Sequence, residues 1–280
     1  MLIDLHVQSH FSRNGKLDPE EIILYAKKQG LDGLCFTEDQ PFTEWKELKE
    51  LGEVHDTLVL VGLECKTNRG VYLLFGPNPE DVEPNRLLPP LRAGQDVLSF
   101  EDVHQAAERA GGVLIAAHPY KLDVDHPSGD RLFELDGLTC IQTQNSHVSP
   151  LVNDFAIEAC YHLGLKPVGG SQTRETLRSI GSSATMFTES ITNETELVAA
   201  LKASRAWPVE ITPEPTIRES ADNDRGGDRR GGGGRGGDRG GRDNRGGDRR
   251  GGGRGGDRRG GGRGGDRRGG GRGGDRRGRR

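Results

Sequence analysis

Cysteine is scarce in this chain. Cys35, Cys65, Cys140 and Cys160 are the four thiols among 280 residues, and no two form a Cys-x-x-Cys pair. That spacing excludes a zinc ribbon, a dithiol redox motif and a disulfide-stapled scaffold. Three lie within or beside apolar strand-like runs and Cys160 lies in a helical pattern, so buried reduced thiols are expected. Long apolar runs are also missing: none comes near the roughly 18 residues a membrane-spanning helix needs. Met1 leads straight into a strand pattern without a charged and then apolar leader, so the protein is expected to be cytoplasmic, with no membrane partner. Aromatics make up 5% of the chain, and Trp45 and Trp207 are expected to be packing residues. One imidazole is conspicuously absent. A strand ending in His-x-His sets two rings on one face, a ready pair of metal ligands, but after His6 this chain has Gln8. An amide is a poor ligand for zinc, manganese or iron.

What is present divides sharply near residue 217. Residues 1–217 carry 18 Lys and Arg against 33 Asp and Glu, whereas residues 218–280 carry 21 against 10. The formal net charge of −4 therefore hides an acidic first part and a basic last part. The first part is roughly 40% apolar, enough for one sizeable core. We read residues 1–215 as one domain and 216–280 as a disordered tail.

Within the domain, strand and helix patterns alternate. Leu2–Val7 reads as a strand, and Asp18-Pro19-Glu20-Glu21 as a helix start with Asp18 as N-cap and acids in the first turn. That helix stops at Gly30. Strands are expected at Gly33–Thr37, Thr57–Glu64, Val71–Phe75, Val113–Ala117, Leu138–Thr143 and Pro167–Gly170. Helices are expected over Thr43–Leu51, from a Ser99 cap to Gly111, over Val152–Leu163, and last through Glu196–Ala203 behind a Thr192 cap. Such alternation predicts an α/β fold with a parallel sheet or barrel.

In such folds chemistry collects where strands meet the loops that follow them. The polar residues there are His6 and Gln8; Thr37, Glu38, Asp39 and Gln40; Glu64; His118; Asn145, Ser146 and His147; and Ser171 through Arg174. Six strand ends thus supply a ring of polar groups, more than an ordinary globular domain needs. His10, His55, His104 and His162 lack such company and are expected to be surface or packing residues. Asp123, Asp125 and Asp130 with His126 form an acidic loop, read as solvated.

These segments resemble the PHP (polymerase and histidinol phosphatase) superfamily. Asp4-Leu5-His6-Val7 with Ser9 is similar to its opening motif, and Gly30-Leu31-Asp32-Gly33-Leu34 followed by Thr37 to its second. Gly62-Leu63-Glu64, Ala116-Ala117-His118-Pro119, and Gly169-Gly170-Ser171 with Ile180-Gly181 resemble the rest. The resemblance implies a distorted (β/α) barrel of the PHP type and, in active members, two or three metal ions that hydrolyse phosphoesters. It also implies a metal set of His6, Glu64 and His118, with Asp39 and His147 as further candidates. Departures are many. Gln8 stands for a histidine, Asn14 lies near an expected aspartate, Glu38-Asp39 stands for Asp-His, Tyr72 occupies a histidine register, and Gln172, Thr173 and Arg174 replace the closing ligands.

A two-metal mechanism needs bridging carboxylates and two ligand sets, so the expectation is no metal or one zinc, manganese or iron ion. Arg174 is expected to substitute for a lost cation through a bidentate pair with Glu64 or Glu38. Two readings of the domain follow: a non-catalytic scaffold or sensor of a phosphorylated small molecule, or a metal-dependent phosphoesterase. No catalytic residue is assigned.

From Asp224 onward the chain is almost wholly Arg, Gly and Asp. A nine-residue unit beginning Arg249-Arg250 and continuing through Arg254 repeats at Arg258-Arg259 with Arg263, and at Arg267-Arg268 with Arg272. It has nothing apolar to bury and cannot offset its chain entropy. The segment resembles the arginine/glycine-rich (RGG-type) segments of RNA-binding proteins, which implies RNA or another nucleic acid as partner, held by those arginines through phosphate contact and stacking.

Overall fold

The structure is a computed structural model that describes residues 1–91 and 96–211. The tail and its arginines, Arg249 through Arg272, lie outside the described residues. Asp18 caps the first helix as expected, its Oδ1 accepting from the Glu20 and Glu21 N–H groups at 2.9 and 3.3 Å. The Ser99 hydroxyl accepts from Asp102 N–H at 3.0 Å, and that helix closes on Gly111 in the left-handed region.

Among the described residues, nine strands form one sheet. In chain order the elements are β1 (Leu2–Val7), α1 (Pro19–Lys28), β2 (Gly33–Glu38), α2 (Trp45–Val54), β3 (Leu58–Thr67), β4 (Gly70–Phe75), α3 (Phe100–Ala110), β5 (Val113–Ala116), β6 (Cys140–Asn145), α4 (Pro150–Leu163), β7 (Lys166–Gly170), β8 (Ser183–Phe187), α5 (Glu194–Lys202) and β9 (Ala206–Glu210). Their spatial order is β7-β6-β5-β4-β3-β2-β1-β8-β9. Strands β1, β2 and β3 are parallel, as are β5, β6 and β7, while β4 joins the two sets antiparallel. The Thr185 hydroxyl on β8 both accepts from Gly169 N–H (2.9 Å) and donates to Gly169 C=O (2.8 Å) on β7. This contact draws the two ends of the sheet together into a nearly closed α/β barrel.

Successive strand residues enter different apolar clusters, so both faces of the sheet are buried. Leu34 and Phe36 join Ile22, Leu48, Val103 and Ala159 from α1 to α4, whereas Cys35 joins Leu197 and Leu201 of α5. The four cysteines are buried and free, as expected. Among the described residues, no helix is long and apolar enough to cross a membrane.

Three local expectations are corrected. The last helix is capped by Asn193, whose side chain accepts from Glu196 N–H (2.9 Å); Thr192 instead gives its N–H and hydroxyl to the Glu196 carboxylate, each at 2.8 Å. That helix does not close the domain, because β9 follows it and pairs with β8. Their sequences, Ser-Ala-Thr-Met-Phe and Ala-Trp-Pro-Val-Glu, are too short and mixed to read as strands. Trp45 is buried, but Trp207, on the edge strand β9, is half exposed.

Candidate functional site

Five of the six strand ends converge; the β2 end, with Glu38 and Asp39, turns to other partners. His6 lies near the end of β1, Glu64 in β3, His118 two residues beyond β5, Gln142 and Asn145 in β6, and Gln172 two residues beyond β7. All six are buried. Register irregularities fall in the pairing of β1 with β2, between Asp4 and Val7, and of β6 with β7, between Gln142 and Gln144. Such bulges re-aim side chains beside sites. Asp4 fixes the closing loop: its carboxylate accepts from Ser171 N–H (2.9 Å), Gly181 N–H (3.0 Å) and His6 N–H (3.2 Å).

His6 and His118 stack with ring centroids 5.7 Å apart. The His6 ring donates from Nε2 to Glu64 Oε2 at 2.8 Å. One ligand atom from each of His6, Glu64 and His118 lies within 4.8 Å of the others. Gln142 braces the pair: its Oε1 accepts from the His118 backbone N–H (3.1 Å), its Nε2 donates to Gly170 C=O (3.0 Å), and it approaches the His6 ring at Nδ1 (3.3 Å).

Burial acts on each of these groups, and neighbours decide the outcome. Burial pushes Glu64 upward, but the His6 hydrogen bond and charge, with His118 and Lys66, overcome it and hold the carboxyl at about 2. Burial, reinforced by His6, lowers His118 to about 3. Lys121, whose Nζ donates to Gln172 Oε1 at 3.0 Å, is lowered by burial, against the pull of Asp123. Burial and then Lys121 and Arg174 lower His147.

The other sequence candidates lie outside this group. Asp39 turns to Lys66 (3.2 Å) and to Arg13 N–H (2.9 Å). His147 is exposed, its backbone N–H donating to Asn145 Oδ1 at 2.8 Å. The expected pair between Arg174 and Glu64 or Glu38 is not formed. Glu64 takes His6, and Glu38 takes the Ser9 hydroxyl (2.7 Å), Ser9 N–H (3.1 Å) and the Ser12 hydroxyl. Arg174 lines a cavity of about 140 Å³ that also touches Glu64, Lys66, His118, Lys121 and Gln172. Sequence reading overlooked Lys121 and Gln142. The available signal was a polar Gln inside the apolar run Cys140-Ile141, and a lysine three residues after His118.

The donor set suits one divalent ion. Two imidazoles and a carboxylate are a usual zinc set, and their ligand atoms already converge. It does not suit two ions, because Asp39 and His147 point elsewhere and, among the described residues, no other group of three or more such ligands is found.

Residues 4–123 match the family model of the PHP domain. The stretch from β1 into the loop after β5 is thus similar to a PHP domain. An uncharacterized protein of Methanocaldococcus jannaschii is 29% identical over 168 residues, which is 56% of this chain and 90% of that one. Among solved structures, a two-domain protein from Bacteroides vulgatus containing a predicted PHP-like metal-dependent phosphoesterase superposes with a TM-score of 0.57 at 18% identity, covering 75% of this chain. This chain spans 64% of that protein's length. An amidohydrolase from Chromobacterium violaceum, with bound sulfate and no metal, superposes with a TM-score of 0.52 at 18% identity, over 73% of this chain and 97% of its own. At such identity the likeness is one of fold.

Proposed function

We propose that the barrel binds a phosphorylated small molecule without hydrolysing it, as a scaffold or sensor, and that the basic tail binds RNA. One observation carries the first part. The cavity at the strand ends brings together three cations, Lys66, Lys121 and Arg174, beside the carboxylates of Glu64, Asp123 and Asp125, while His118 Nε2 is already engaged by Gln172 at 2.9 Å. Cations attract phosphate oxygens, and a histidine whose lone pair accepts an amide hydrogen bond offers it to an ion only after that bond is broken. The tail reading rests on the charge split and the repeated arginines.

The test uses the full chain. Inorganic phosphate binding by calorimetry should weaken about tenfold in Lys121→Ala, the loss of one charge-assisted hydrogen bond. Hydrolysis of p-nitrophenyl phosphate, with manganese or zinc added, should not exceed that of His118→Ala. Turnover that disappears in His118→Ala would refute the non-hydrolytic reading. RNA binding should fall by roughly a hundredfold or more between 50 and 200 mM salt and vanish on deleting residues 218–280. RNA affinity unchanged by that deletion would refute the tail's role.

A metal-dependent phosphoesterase is the second reading, favoured by the convergence of His6, Glu64 and His118. Those residues would hold the ion, which when bound supplies polarisation of a phosphoryl oxygen. Lys121 and Arg174 would orient the phosphate, and burial would keep water from competing for it.

A further inference from the structure

Hydrogen-bond direction at His118 follows from its surroundings. Asn145 Oδ1 accepts from His147 N–H (2.8 Å), so Asn145 Nδ2 is the donor that approaches Gln172 Oε1 at 3.4 Å. Lys121 Nζ, which has no acceptor capacity, lies 3.0 Å from the same oxygen. Two donors therefore fix that atom as the carbonyl oxygen, and the Gln172 atom at His118 is the amide nitrogen. It donates to His118 Nε2 at 2.9 Å, which must accept through the ring lone pair. Metal coordination needs that same lone pair.

We propose, taking His6, Glu64 and His118 as the metal-facing set, that Gln172 is a built-in occupant of the metal position on His118, clamped by Lys121 and Asn145. A cation can enter only by displacing the amide. The backbone supports the assignment. His118 and Gln172 both hold positive φ, +30° and +56°, a conformation that non-glycine residues keep only where surroundings enforce it. The centre is closed to a cation by an amide on one ligand and, on the other side, by the His6–Glu64 hydrogen bond.

Two measurements on the full chain test this. In wild type, nitrogen NMR of the imidazoles should find His118 Nε2 unprotonated and coupled through a hydrogen bond to the Gln172 side-chain amide. A protonated Nε2 would overturn the proposal, whatever any variant does. Zinc affinity, by competition with a chromophoric chelator, should then rise about tenfold in Gln172→Ala, as expected for releasing one or two hydrogen bonds. The gain should disappear when His118→Ala is added. Equal zinc affinity in wild type and Gln172→Ala would also overturn it. Turnover of a phosphate ester by wild type would refute the non-hydrolytic function while leaving the His118 tautomer to be read independently. Undetectable phosphate binding would leave the amide contact standing.

Discussion

Glu38 offers the sharpest test of the electrostatics around the barrel mouth. It is fully buried, and burial raises its carboxyl to about 7 despite hydrogen bonds from Ser12 and Ser9. The unfolded value is 4.5. A carboxyl raised on folding holds its proton in the native state when the unfolded chain has lost it. Stability from this group is therefore whole below pH 4.5 and is lost as pH rises through 7. At about 1.4 kcal/mol per unit, the interval sets a ceiling of roughly 3 kcal/mol. Reorientation of the two serine hydroxyls toward the carboxylate lowers this, and about 1–2 kcal/mol is expected.

Glu38→Gln removes the titration while keeping the geometry. Its Oε1 can still accept from Ser9 N–H, and its amide can donate to the Ser12 hydroxyl, which already accepts from Asp39 N–H at 3.0 Å. Urea unfolding of both proteins at pH 5, 6, 7 and 8 gives the comparison. At pH 5 the two should be nearly equal; by pH 8 the variant should be more stable by about 1–2 kcal/mol. Parallel curves across this range would mean that Glu38 is ionised throughout and that the serine donors outweigh burial.

Asp4→Ala should orphan three buried N–H groups, those of His6, Ser171 and Gly181, and cost roughly 3–5 kcal/mol; thermal melts should show a fall of about 10 °C, and a fall under 2 °C would contradict the closing role of Asp4. Lys49→Met leaves the buried Glu194, now 2.7 Å from Lys49 Nζ, with only the Val61 N–H; because Lys49 is partly exposed, about 2 kcal/mol is expected, mostly recovered by adding Glu194→Gln. Gly170→Ala would set a methyl 2.8 Å from His6 Cβ and 2.9 Å from Gln142 Nε2, costing about 1–3 kcal/mol and shifting the His6 ring resonances. Unchanged His6 resonances would show that β7 can move away from β1.

Most of the barrel was legible because its signals are local. Asp18-Pro19 starts α1, Ser99 and Gly111 bound α3, and β2 to β5 are mainly apolar runs between turn residues. Strand β9 escaped because an edge strand half open to water needs no apolar run, and β8, paired between β1 and β9, is a five-residue mix of small, polar and apolar side chains; Met186 and Trp207 are among the exposed large side chains. His6, Glu64 and His118 could be read because strand ends of a parallel sheet meet at one place. Their partners could not. Arg174 was expected to neutralise Glu64 because a guanidinium suits a carboxylate, but a histidine already buried beside Glu64 needs less reach and less desolvation. The cation that does approach the centre is Lys121, and it meets an amide oxygen rather than a carboxylate.

That last substitution carries the wider physical point. A buried carboxylate site stripped of its ion need not import a positive charge if its own imidazoles and amides can satisfy one another. Here one chain of donors and acceptors runs from Lys121 through the Gln172 amide to His118, and from His118 N–H to Gln142 Oε1, with Gln142 Nε2 3.3 Å from His6 Nδ1. His6 completes it by donating to Glu64. The Glu64 carboxylate is thus met by the His6 ring rather than by a guanidinium. Breaking the chain at Gln172 should therefore be felt at both ends: in the metal affinity of His118 and in the freedom of the Lys121 ammonium to meet a phosphate. Gln172→Glu separates the two. Its carboxylate would pair with Lys121 and present an oxygen to a cation beside His118, so zinc affinity should rise by at least as much as in Gln172→Ala, while phosphate affinity falls. If instead phosphate binds as tightly as in wild type, Lys121 is not the group that receives it, and the cavity's anion preference must come from Lys66 and Arg174.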